Sequence, residues 1–156
     1  MKQLLPLRYK GSRNYLHGSD FFNSLTKHTE EITGHSSYFV QRLTFRCFAT
    51  NICEITADQP RDPESIIGEV QFSMLQRSAK QKHFIVHTNH EVAGRYPFDE
   101  SCIIDLVNLD LQQRRAILLD RSEFTPIEEV IVLTKYLNSS ISPTSNGKWV
   151  FGQLVL

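Results

Sequence analysis

The chain has 156 residues, 40% of them apolar and 22% charged. That is the size and balance of a single globular domain with a real core, so one domain over 1–156 is expected. Seventeen basic and seventeen acidic residues cancel, which leaves no broad basic field for non-specific nucleic-acid binding. A near-zero net charge favours self-association, and a homodimer is expected. Met1–Leu7 is too short, and too interrupted by Pro6, for a signal peptide. No stretch approaches the roughly 18 apolar residues of a membrane span. A cytoplasmic protein without a membrane partner is the expectation. Cys47, Cys53 and Cys102 are an odd count set in apolar strand patterns. They read as buried thiols rather than as disulfides or a nucleophile.

Taken in order, Lys2–Lys10 reads as an arm or short edge strand that turns at Gly11. A helix follows. Ser19 is the expected N-cap, Asp20 complements the helix dipole, and Phe21, Phe22, Leu25 and Ile32 form one apolar stripe. Gly34 supplies the left-handed residue that ends many helices.

Tyr38–Thr56 alternates over its whole length and predicts a long half-buried strand, bulged or broken near Asn51. Asp58–Glu64 is a loop with Pro60 and Pro63. Ile66–Gln76 and Gln81–Val92 are partner strands. Gly94–Glu100 is a loop carrying Tyr96 and Phe98. Ser101–Leu111 and Arg115–Asp120 read as a strand pair; the first is apolar on both faces, which suggests a sheet centre or a subunit interface.

Thr125-Pro126-Ile127-Glu128 has the pattern of a capping box with proline at the first helical position. Ile127, Val130, Ile131, Thr134, Leu137 and Ile141 supply the stripe of that second helix. Lys148–Leu156 closes the chain as a strand with Trp149 and Phe151 on one side. The fold class is therefore α+β. A mainly antiparallel curved sheet packs against the N-terminal helix, with a second helix and a closing strand at the C-terminus. One helix followed by long curling strands over Asn14–Asp120 resembles the hot-dog fold of thioesterases and dehydratases, in the order of elements.

The polar groups are densest between Arg13 and Glu30. His17, Asp20 and Asn23 surround a helix start, where a base and backbone N–H groups can meet a carbonyl or an oxyanion. Capping and surface exposure account for the same residues without any ligand. If the hot-dog resemblance holds, it implies an acyl thioester of coenzyme A or of an acyl-carrier protein, with His17 or Asp20 as base. Arg13 and Asn14 lie just upstream. Arg42 and Arg46 share the polar side of the Tyr38–Thr56 strand and suit phosphate groups, although pairing with Glu54 or Glu69 explains them too.

His83 and His87 are four residues apart, roughly 13 Å along a strand, and one ion does not bridge them. No metal or other cofactor is expected. The expected function is binding, and turnover, of an acyl thioester or similar apolar molecule. The alternative is a non-catalytic assembly module that acts through the apolar Ser101–Leu111 segment.

Overall fold

The computed structural model describes residues 2–76, 78–143 and 152–156. The chain is α+β, with a six-stranded antiparallel sheet and four helices. It gathers into two compact units, Met1–Pro97 with Phe151–Leu156, and Phe98–Val150.

The first unit runs β1 (Lys2–Leu5), β2 (Tyr9–Lys10), α1 (Gly18–Lys27), α2 (Thr29–Thr33), β3 (Tyr38–Phe45), β4 (Asn51–Thr56), β5 (Ile66–Met74), β6 (Lys80–Glu91) and β7 (Arg95–Tyr96). Its last strand is numbered β10 below, after the elements of the second unit. The sheet order is β1-β4-β6-β5-β3, with the final strand at the far edge beside β3. On one sheet face Val40, Leu43, Val70, Phe72 and Ile85 meet Phe21, Leu25 and Ile32 of the helices in the main core. Phe21 and Phe72 are fully buried, and truncating either to alanine costs about 3–5 kcal/mol. Gly68 sits where β5 shifts register against β6; a Cβ there would lie 2.5 Å from the Thr44 carbonyl, so only glycine lets β3 approach this closely.

Several sequence expectations are corrected here. The first helix is two helices. It breaks at His28, where the Thr29 hydroxyl bonds back to the Leu25 carbonyl at 2.8 Å, a local bond that competes with the helical ladder. Its N-cap is His17 rather than Ser19, while Gly34 does close α2 in the left-handed conformation. The long Tyr38–Thr56 strand is two strands that are not neighbours, because β5 and β6 lie between β3 and β4. The alternation survives the break because Ala49 is still buried and forms an isolated bridge with Leu16. Among the cysteines only Cys53 is buried; Cys47 and Cys102 are exposed.

The second unit contains α3 (Ser101–Ile104), β8 (Val107–Asp110), β9 (Arg115–Leu118) and α4 (Pro126–Ile141). The strand expected from Ser101 begins instead as a helical turn, at whose start the Asp99 carboxylate accepts from the Ser101 N–H at 2.9 Å. A short apolar run does not by itself distinguish helix from strand. What remains is a two-stranded ribbon, not the centre of a sheet. The capping box is present as expected: the Glu128 carboxylate accepts from the Thr125 N–H at 2.9 Å. Its buried stripe is rotated toward Ile127 and Val132, and leaves Val130 exposed. Of the closing strand, β10 (Gln153–Val155) is antiparallel to β3, and Trp149 and Phe151 lie outside the described residues.

Candidate functional site

The start of α1 is built by a ribbon that the sequence does not advertise. β2 pairs in parallel with β7, which sets Lys10 beside Tyr96. Arg95 fastens the turn that follows, donating to the carbonyls of Gly11 at 2.5 Å and Arg13 at 2.6 Å. The chain then anchors through the Leu16 N–H on the Ala49 carbonyl and enters α1 at Gly18.

The result is a buried polar cluster. Lys10 Nζ lies 2.9 Å from Ser19 Oγ and 3.2 Å from Asp20 Oδ1. The Tyr96 hydroxyl donates to the same Oδ1 at 2.7 Å, and Ser19 Oγ lies 3.3 Å from it. Lys10 is fully buried and Asp20 is 9% exposed. The other carboxylate oxygen, Asp20 Oδ2, is buried and accepts no hydrogen bond among the described residues. One oxygen is thus held by two donors, Lys10 and the Tyr96 hydroxyl, while its twin has none among the described residues. A buried acceptor in that state is costly to the fold.

His17 joins the cluster as helix cap. Its Nδ1 is 2.8 Å from Ser19 Oγ and accepts from the Ser19 N–H at 3.4 Å. With Nδ1 accepting, the ring proton sits on Nε2. The Ser19 N–H is engaged by this cap. Asn23 lies one turn along α1, three residues from Asp20 and so on the same side; it is half-buried, and Asn14 is exposed.

Arg42 and Arg46 are elsewhere. Leu43 and Phe45 face the helices, so Arg42 and Thr44 point out from the opposite side of the sheet. There Arg42, Thr44, Arg46, Glu69, Gln71 and Lys82 line a cleft of about 360 Å³. Arg46 pairs with Glu69, and Lys82 Nζ reaches the other oxygen of Glu69 at 2.7 Å. The Lys82 hydrogen bond, joined by the charges of Lys82 and Arg46, holds the Glu69 carboxyl below its ordinary value against the opposing effect of burial. Glu54 instead pairs with Lys2. The structure therefore joins His17, Asp20 and Asn23, and separates them from Arg42 and Arg46 by the thickness of the sheet.

The remaining chemistry-bearing residues are quiet. Burial, with a smaller effect of Cys47, pushes the Cys53 thiol up to about 12, which keeps it a thiol at neutral pH. Burial lowers both His83 and His87. Among the described residues no group of three His, Cys, Asp or Glu side chains is placed to hold a metal ion, and no helix is long and apolar enough to cross a membrane.

Sequence reasoning missed Lys10 and Lys82, and read Tyr96 as a loop aromatic rather than as a partner of Asp20. Strands of two residues carry no periodic signal, so the partnership of Lys10 with Tyr96 was not visible. Lys82 shares its side of β6 with the buried Phe84 and Val86, so alternation gave no outward signal for it. Comparison with protein-family models, with curated proteins and with solved structures finds no match.

Proposed function

We propose that the first unit binds, and acts on, an acyl thioester or a similar apolar small molecule at the start of α1. This is in keeping with the element order that resembles the hot-dog thioesterases and dehydratases. The observation that carries the reading is Asp20, with one oxygen locked by Lys10 and Tyr96 and the other buried without a donor among the described residues. Such a carboxylate is oriented in advance to take a proton from a substrate hydroxyl or from an attacking water. His17 in its Nε2–H form polarises the carbonyl, and Asn23 orients the acyl chain. Coenzyme A or an acyl-carrier protein would present the thioester, and the working form would be a cytoplasmic homodimer.

The test is turnover and calorimetric binding with a panel of acyl-coenzyme A thioesters, run on the natural chain and on His17→Asn. Asparagine is a good N-cap, so the variant should keep its helix and melting temperature while turnover falls at least tenfold. If no acyl thioester is bound or turned over by the natural chain, the reading is wrong.

A second reading is favoured by the second unit. Leu111, Ile117 and Leu119, on and beside the β8–β9 ribbon, are exposed, which suits an assembly module that docks another protein. Light scattering on a Leu119→Glu variant addresses it, because an assembly built on that ribbon should dissociate.

A further inference from the structure

We propose that the outward face of the sheet carries a binding site for a compact dianion, a phosphate or a phosphomonoester, held by Arg42, Arg46 and Lys82 with Thr44 and Gln71. The proposal is independent of the acyl reading and concerns the other side of the sheet.

The placement follows from register. Arg42 is paired with Gln71, and Gln71 with Lys82, so the three stand in one row across β3, β5 and β6. Thr44 and Glu69 form the next row. Adjacent strands are about 4.8 Å apart, which puts the Arg42 and Lys82 backbones roughly 10 Å from each other across the cleft. Both side chains line the cleft, and a span of that size has room for one phosphoryl group.

Charge then selects the ligand. Three cations face one carboxylate, so two positive charges in the cleft are uncompensated. Glu69 holds Arg46 and Lys82 in position by taking one on each oxygen; it does not neutralise the site. Arg42 is held separately. With its amide oxygen turned toward the guanidinium, Gln153 of β10 accepts from Arg42 Nε at 2.8 Å and Nη2 at 2.7 Å. Two of the five N–H donors of arginine are engaged in this way, and Arg42 lines the cleft with the other three. Bringing three cations together on a folded surface costs repulsion unless an anion joins them. A phosphomonoester carries close to two negative charges at neutral pH and several acceptor oxygens, and guanidinium forks match that geometry. A single carboxylate would leave half of the charge unmet.

The experiment is calorimetric titration of the full chain at low ionic strength with inorganic phosphate and with glycerol phosphate, in parallel with Arg42→Ala and Lys82→Ala. Both side chains are exposed, so the variants should fold, which circular dichroism checks. Phosphate should bind with one-to-one stoichiometry, and each variant should weaken it about tenfold, the scale of one charge-assisted hydrogen bond. Equal affinity for the two ligands would support free phosphate; tighter binding of glycerol phosphate would support a phosphorylated organic molecule. Absence of phosphate binding overturns the proposal, as does binding that Arg42→Ala and Lys82→Ala leave unchanged. Binding that His17→Asn abolishes would place the anion at the helix and overturn it too, as would an acidic peptide that binds the cleft where phosphate does not.

Discussion

The two faces of one sheet treat charge in opposite ways. On the helix side Lys10 and Asp20 are 0% and 9% exposed and form a pair that water scarcely reaches. On the outer side Arg46, Glu69 and Lys82 are 54%, 26% and 55% exposed. The same chemistry therefore has different consequences. A buried pair is dearly missed when one partner is removed, because the survivor is left charged in a poor solvent. An exposed pair contributes little stability, and its charges stay available to a ligand. The buried cluster fixes geometry, and the exposed one offers attraction.

The largest effect that would break this contrast comes from Lys10→Met. Methionine fills most of the lysine stem but leaves Asp20 without its cation, and we expect about 3–5 kcal/mol of lost stability in urea unfolding, with the slope unchanged. A loss below about 1 kcal/mol would mean that solvent reaches the pair after all, and the two faces would not differ in kind.

A smaller effect sharpens the contrast within one strand. Lys82 and His83 are neighbours on β6, the first exposed and the second 5% exposed against the edge of Phe72. Burial, opposed by a hydrogen bond to the Ile32 carbonyl, lowers the His83 pKa below its ordinary 6.5. The folded chain thus takes up a proton less readily than the unfolded chain. Above pH 6.5 neither form is protonated and nothing is lost; as pH falls from there toward the folded pKa, stability drains away, and below it the loss stops growing. His87 is lowered in the same direction. We expect His83→Gln to flatten, without abolishing, the fall in melting temperature between pH 7.5 and pH 5. A Lys82→Gln control should leave that slope untouched.

What the sequence made legible divides along the same line. Periodicity found α1 and α4, because a helix stripe or a capping box lies within a few residues of sequence. It found the strands wherever one face was buried. It placed His17, Asp20 and Asn23 together for that reason, since all three lie on or beside a single helix start. It failed where the partner was distant. Lys10 meets Tyr96 only because two strands of two residues pair across 86 positions, read from the two residue numbers. Alternation did place Arg42 and Arg46 on the polar side of their strand, and they lie there, across the sheet from the helix residues, since a one-residue alternation decides the face. Ser101–Ile104 read as strand because its apolar run has no period, and it is instead a helical turn whose first N–H is taken by the Asp99 carboxylate.

The smallest expected effect is the most discriminating for the outer face. In a double-mutant cycle of Arg46→Ala with Glu69→Gln, the coupling should be about 0.2–1 kcal/mol, the range of exposed pairs. It should fade further in 1 M salt, where the Debye length is about 3 Å. The pairing of Lys82 with Glu69 remains in the Arg46 variant, so Glu69 keeps one cation and the sheet keeps its register. A coupling of several kcal/mol that resists salt would mean that the cleft is dry and its charges are satisfied within the chain. In that case Arg46 and Lys82 would be structural in the way Lys10 is, with little attraction left over for an anion.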